Sequence, residues 1–162
     1  MTSTNASGVG TSVSGVKLIG DSDSWSGNSV SNGGDVNADS IDDFIIGGYL
    51  ASTQGRTNAG RAWIVFGRNK TRKWTGMMNL ATLTLPDGVV IDGAVAGDEF
   101  GHSVSGKVDV NHEGISDLII GSPSASPHSK SNAGTTTVIF GRKTFQVSKV
   151  WNNRREIVVL GY

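Results

Sequence analysis

An acidic loop followed directly by an apolar run occurs twice in this 162-residue chain. The loops are Asp35–Asp43 and Asp109–Asp117, the apolar runs are Phe44–Gly47 and Leu118–Gly121, and the repeat period is therefore 74. The same offset relates further matched segments without a gap, namely Gly27 and Gly101, Asn58-Ala59-Gly60 and Asn132-Ala133-Gly134, and Phe66-Gly67-Arg68 and Phe140-Gly141-Arg142. Self-similarity at a fixed period indicates a repeat architecture.

The composition favours short strands and tight turns. Glycine accounts for 23 residues, hydrophobic residues for 36% and charged residues for 17%, and no segment shows sustained helical periodicity. We therefore predict an all-β fold. The formal net charge of zero argues against a nucleic-acid-binding protein. No apolar stretch is long enough to predict membrane insertion, and the absence of cysteine excludes disulfides and thiolate metal sites.

The repeat divides the chain into two units. We predict a flexible segment over residues 1–15, a first unit over 16–93 and a second over 94–162. The first unit carries a spare N-terminal strand at Val16–Gly20, and its outer part consists of two runs, 82–85 and 89–91, on either side of the turn Pro86-Asp87-Gly88. The fourth strand of the second unit is predicted at Glu156–Gly161. The N-terminal segment lacks the basic start and apolar core of a signal peptide.

Several motifs of the second unit resemble the FG-GAP repeat, the blade of the integrin α-subunit β-propeller. Phe100-Gly101 stands for the Phe-Gly of that family, and Gly121-Ser122-Pro123 stands for its Gly-Ala-Pro. The first unit departs from the pattern with Ser26-Gly27 and Gly47-Gly48-Tyr49. The resemblance implies two four-stranded antiparallel propeller blades with a calcium loop in each.

The acidic loops have the composition and spacing of calcium sites. Oxygen-bearing side chains at loop positions 1, 3 and 5 point towards one centre, and calcium takes six to eight oxygen ligands. We predict two Ca²⁺ sites per chain. The first set of ligands is Asp35, Asn37, Asp39, the Ile41 carbonyl and Asp43, and the second is Asp109, Asn111, Glu113, the Ile115 carbonyl and Asp117.

Three other interpretations of the loops compete with calcium. An EF-hand would need a bidentate Glu at loop position 12, where this chain has Ile46 and Ile120. Zinc is disfavoured because only His112 is near either loop. The third interpretation is a pair of Asx-rich turns that bind no ion. Loop position 6 favours a positive φ, which Gly114 adopts freely and Ser40 does not.

Two blades are too few to close a propeller, which usually has four to eight. The chain is therefore expected either to form a homo-oligomer, a trimer of six blades or a tetramer of eight, or to be flanked by neighbouring blades of a longer chain. The spare strand Val16–Gly20 is a candidate for pairing with a neighbouring chain.

The resemblance implies a calcium-stabilised module for protein binding or cell adhesion, at an extracellular or cell-surface location. We expect no enzymatic activity, because the chain lacks a Gly-x-Ser-x-Gly nucleophile motif and His102 is better explained by packing or solvation. Two alternatives stay open: a purely structural, self-assembling propeller fragment, and an accessory domain of a larger hydrolase.

Overall fold

The computed structural model describes residues 15–74, 76–145, 147–152 and 155–160. These residues form eleven strands and two single turns of 3-10 helix, at Leu80–Thr82 and Pro127–Ser129. The predicted flexible segment lies almost wholly outside the described residues. The strands are β1 Lys17–Ile19, β2 Ser29–Gly34, β3 Asp43–Gly48, β4 Arg61–Val65, β5 Met77–Asn79, β6 Gly88–Asp92, β7 Ser103–Val108, β8 Asp117–Ser122, β9 Thr135–Ile139, β10 Val147–Asn152 and β11 Arg155–Leu160.

The first unit is a four-stranded antiparallel sheet in the order β2-β3-β4-β6. Its central strands are apolar on both faces, because Ile45 and Ile64 pack on one face while Ile46 and Trp63 pack on the other. Such double burial explains why β3 is a continuous apolar run and not an alternating one. An irregular register between Asn32 and Gly34 ends β2 and leads into the first acidic loop.

The second unit is an antiparallel sheet of three strands, β7-β8-β9. These strands begin at positions 103, 117 and 135, and β2, β3 and β4 begin at positions 29, 43 and 61, so the offset between the two acidic loops also relates the strands. The predicted fourth strand does form over most of its length, as β11, but it pairs antiparallel with β10 in a separate hairpin. The prediction of a four-stranded second sheet is therefore wrong for the described residues, because β11 finds its hydrogen-bond partner in the adjacent segment.

The prediction of a spare N-terminal strand is also corrected. Strand β1 pairs in parallel with β5 of the same chain, so β5 occupies one hydrogen-bonding edge of β1. The outer run expected at residues 82–85 is not a strand. The chain instead forms the 3-10 turn Leu80–Thr82, and β6 follows as the edge strand next to β4.

Each face of the first sheet is covered in a different way. One face packs against the second sheet, and that core includes Ile45, Ile64, Phe100, Leu118 and Ile120. The opposite face is covered by the chain's own segment around Leu80 and Leu83 together with β1, and the indole N–H of the buried Trp63 donates to the Leu80 carbonyl at 3.1 Å. The described residues form two packed sheets, together with the β1-β5 pair and the β10-β11 hairpin, but no closed ring.

Candidate functional site

The two acidic loops occupy equivalent places, one between β2 and β3 and the other between β7 and β8. Their backbones follow the same path. The fourth residue of each has a positive φ, 58° at Ala38 and 59° at His112, and so does the sixth, 68° at Ser40 and 81° at Gly114. Non-glycine residues seldom adopt this region, so the shared conformation reflects a requirement of the loop.

The strained sixth position leads to a first prediction. Replacing Ser40 with Gly should stabilise the protein by about 1 kcal/mol, because glycine adopts a positive φ without the steric cost that a Cβ brings. Replacing Gly114 with Ser should have the opposite effect of similar size. Urea unfolding of both variants checks the pair; equal midpoints for wild type and Ser40→Gly would show that the loop is not strained at this position.

Side chains inside each loop accept hydrogen bonds from the loop's own backbone. The carboxylate of Asp35 accepts from the N–H groups of Asp39 and Ser40, at 3.0 and 2.8 Å, and Asn37 Oδ1 also accepts from the Asp39 N–H at 3.0 Å. The second loop repeats this arrangement, with Asp109 and Asn111 accepting from Glu113 and Asp109 from Gly114. The bonds accepted by Asn37 and Asn111 reach two residues on and form Asx turns. Those accepted by Asp35 and Asp109 span four and five residues and close the wider loop.

The last acidic residue of each loop is buried and ties the loop to a distant strand end. Asp43 accepts from the Val36 N–H at 2.9 Å and from the Gly67 N–H at 2.7 Å. Asp117 accepts from the N–H groups of Val110 and Gly141 at 2.8 and 2.9 Å. Sequence reasoning identified these aspartates only as metal ligands. The second partners lie in the matched Phe-Gly-Arg segments at 66–68 and 140–142, which the sequence analysis used only as evidence of the repeat.

The first loop concentrates negative charge. Burial raises the pKa of Asp43 to about 6, although the two backbone N–H groups that it accepts from lower it. The nearby carboxylates of Asp39 and Asp35 raise the pKa further, because a second negative charge close by is unfavourable. A cation placed among these groups would remove that repulsion.

The structure places each set of predicted ligands within its own loop but does not gather the side chains of a set around one point. Asp39 and Glu113 are exposed, Asp35 and Asp109 are half-buried, and Asp43 and Asp117 are buried. Within residues 15–74 and 76–145, no group of three or more His, Asp or Glu side chains lies close enough to hold a metal ion. The chemistry of the donors nevertheless fits calcium, since every predicted ligand is a carboxylate, amide or carbonyl oxygen.

The opposite end of the sheets carries an aromatic cluster that sequence reasoning did not assign. Trp25 is exposed in the turn before β2 and meets Tyr49 edge-on, with ring centroids 5.9 Å apart. Tyr49 in turn packs against the exposed ring of His102 at 4.9 Å. His102 therefore has the packing role expected for it.

An antiparallel four-stranded sheet packed on a second sheet, with equivalent loops at one end of both, is consistent with two neighbouring blades of a β-propeller-like module. The family model of the FG-GAP repeat matches residues 26–65, which include β2, the first acidic loop, β3 and β4. The family resemblance is thus confirmed over this part of the first unit.

One similar protein is the phosphatidylinositol-glycan-specific phospholipase D of Bos taurus, 28% identical over 115 residues. The match covers 70% of this chain but only 13% of that protein. In the part of this chain that the structure describes, no helix is long and apolar enough to cross a membrane.

Proposed function

We propose that the chain is a calcium-stabilised, non-catalytic β-propeller module that binds another protein, in the manner of the integrin α-subunit. The observation that carries the proposal is the pair of acidic loops, which share one backbone path and one hydrogen-bond pattern in both units. Each set of proposed ligands includes three carboxylates, and a bound cation would compensate the repulsion between them.

Calcium would be held by the residues named from the sequence. In the first loop these are Asp35, Asn37, Asp39, Asp43 and the Ile41 carbonyl, and the second loop supplies their counterparts. Their turn hydrogen bonds leave lone pairs unused, because each carboxylate offers about four acceptor sites. The exposed Asp39 carboxylate accepts from the Ile41 N–H at 2.9 Å and from the Asn37 amide at 3.2 Å, and Glu113 accepts from the Asn111 amide at 2.9 Å, so both carboxylates already lie beside another proposed ligand. The ion's role would be to hold each hairpin in its folded conformation.

Calorimetric titration of calcium into the chelator-treated chain tests this proposal. We expect two ions per chain, one ion for Asp35→Asn and one for Asp109→Asn, and none for the double variant. Asp42→Asn is the matched control, because Asp42 is an exposed carboxylate within the first loop but is not a proposed ligand. Binding should weaken at pH 5, where the Asp43 carboxyl with its pKa of about 6 is largely protonated. Absence of binding by the wild type at pH 7 would contradict the proposal and favour ion-free Asx turns.

The binding surface for a protein ligand would be the end of the sheets opposite the acidic loops. The connections 49–60 and 123–134 follow β3 and β8 at this end, and loops positioned by a rigid sheet are common binding elements. An extracellular or cell-surface location is part of this proposal, because it supplies the calcium that the loops would need.

A second candidate function is that of an accessory module in a larger hydrolase. The similarity to a short part of a phospholipase D favours it. Both candidate functions are non-catalytic, and a hydrolase assay on the isolated chain tests this. We expect no activity, and calcium-dependent hydrolysis would contradict both candidate functions.

A further inference from the structure

The first and second sheets present equivalent faces, but only the first is covered. Phe66 lies in the core between the sheets and is 5% exposed, whereas Phe140, its counterpart in the repeat, is 45% exposed. Ile64 is fully buried, whereas its counterpart Val138 is exposed, and Ala62 is buried where Thr136 is exposed. On the first sheet this face packs against the second sheet. The equivalent face of the second sheet is exposed at Val138 and Phe140 in the part of the chain that the structure describes.

One end of this open face contains an unfilled cavity, which we call the seat. In the first unit, the backbone of Phe100 and Gly101 lies tightly against Gly47 and Gly60, so that a Cβ on either glycine would collide with it. The Phe100 N–H donates to Ala59, and Ser29 Oγ donates to the Gly101 carbonyl at 2.9 Å. In the second unit the corresponding residues line a cavity of about 370 Å³, and they include Ser103, Gly121, Ala133 and Gly134.

The chain also exposes an edge that matches this face. Residues 25–30 of the first unit correspond to residues 99–104, the edge that docks within the chain. Trp25 adopts a φ of 54° where Glu99 has 59°, and Gly27 has 89° where Gly101 has 85°, so the two turns share their shape. Val104 packs on the core between the sheets, but its counterpart Val30 is 67% exposed.

We propose that the open face of the second sheet docks the 25–30 edge of a second copy of this chain. The Trp25 turn would enter the seat between Ser103 and Gly134. Ser26 is the counterpart of Phe100, and Trp25, one residue earlier, would supply an aromatic ring there. Val30 would pack on Val138 and Phe140. The two surfaces differ, so the contact is head-to-tail and repeats from chain to chain until a ring closes. No residue of either surface is a proposed calcium ligand, so this inference stands apart from the calcium sites. It shares Gly134 with the connection 123–134, which is one of the loops proposed to bind a protein ligand.

Three matched Val→Asp variants test the contact by light scattering at chain concentrations up to about 1 mM. Val138→Asp disrupts the face, Val30→Asp disrupts the edge, and Val95→Asp is the control, since Val95 is exposed outside both surfaces. We expect the wild type and the control to associate, and each of the other two to associate at least about tenfold more weakly, because a charge is buried without a partner.

Mixing the two disrupted variants gives the sharpest result. The intact face of Val30→Asp and the intact edge of Val138→Asp should form one contact, so the mixture should give a dimer that grows no further. A monomeric wild type, an unaffected Val30→Asp, or a mixture that stays monomeric would overturn the proposal. Circular dichroism checks that each variant is folded, and Thr136→Asp, exposed on the same face, replaces Val138→Asp if that variant unfolds.

Discussion

Replacing Asp117 with Ala is expected to lower the free energy of unfolding by about 3 kcal/mol. The Asp117 carboxylate is fully buried and accepts hydrogen bonds from the N–H groups of Val110 and Gly141. The alanine variant leaves both donors without a partner, and each unsatisfied buried donor costs about 1–3 kcal/mol. The loss would loosen the second acidic loop and also the end of β9, since Gly141 follows that strand.

Urea unfolding in the presence of chelator measures this effect without any contribution from a bound ion. Asp42→Ala is the control, because Asp42 is exposed and its ion pair with Lys107 spans 3.5 Å; surface pairs of this kind contribute about 0–1 kcal/mol. Asp117→Asn should fall between the two, since its amide keeps one acceptor oxygen and places an N–H₂ group near the other donor. If Asp117→Ala were as stable as Asp42→Ala, the buried hydrogen bonds would not hold the loop.

Replacing Gly47 with Ala is expected to destabilise the protein by about 3 kcal/mol, whereas Gly121→Ala should cost less than about 1 kcal/mol. A Cβ on Gly47 would lie under 3.0 Å from the Gly101 carbonyl oxygen, a backbone atom of the second unit that cannot move aside. Overpacking of this kind typically costs about 1–3 kcal/mol. A Cβ on Gly121 meets only the side chain and backbone of Ser103, and the hydroxyl that lies nearest can rotate away.

The two glycines occupy the same position in the repeat, so the pair isolates the effect of the neighbouring sheet. Thermal unfolding of dilute samples measures it, and about 3 kcal/mol corresponds to roughly 6–12 °C for a domain of this size. Equal shifts for both variants would mean that the second sheet does not press against Gly47. The same pair also probes the docking face, because Gly121→Ala narrows the seat proposed for a second chain.

The local features of this protein could be predicted from its sequence. The alternation of oxygen-bearing residues in Asp35–Asp43 and Asp109–Asp117 predicts tight turns, because Asx side chains bond to backbone groups only a few positions along the chain. The apolar runs after each loop predicted β3 and β8, and the matched repeat predicted equivalent positions for both. Such features depend on residues that are close in the chain.

The partners of the outer elements could not be predicted in the same way. The strand expected at Glu156–Gly161 forms as β11, but its hydrogen-bond partner is β10 and not the second sheet. Likewise, β1 was expected to have no partner within its own unit. It pairs with β5, which follows β4 and is far from β1 in the sequence. A short apolar strand pairs with any compatible edge, so its sequence does not specify which one.

The sequence by itself therefore determined an all-β chain, two matched units and the composition of the acidic loops, because periodicity and turn chemistry act over a few residues. Only the tertiary structure decided that Asp43 and Asp117 bond to glycines 24 residues away, and that Phe66 is buried while Phe140 is exposed. Two phenylalanines that are both followed by Gly-Arg differ in this way because burial depends on what packs against a surface. The first sheet has the second sheet on that face, and the second sheet's equivalent face is open.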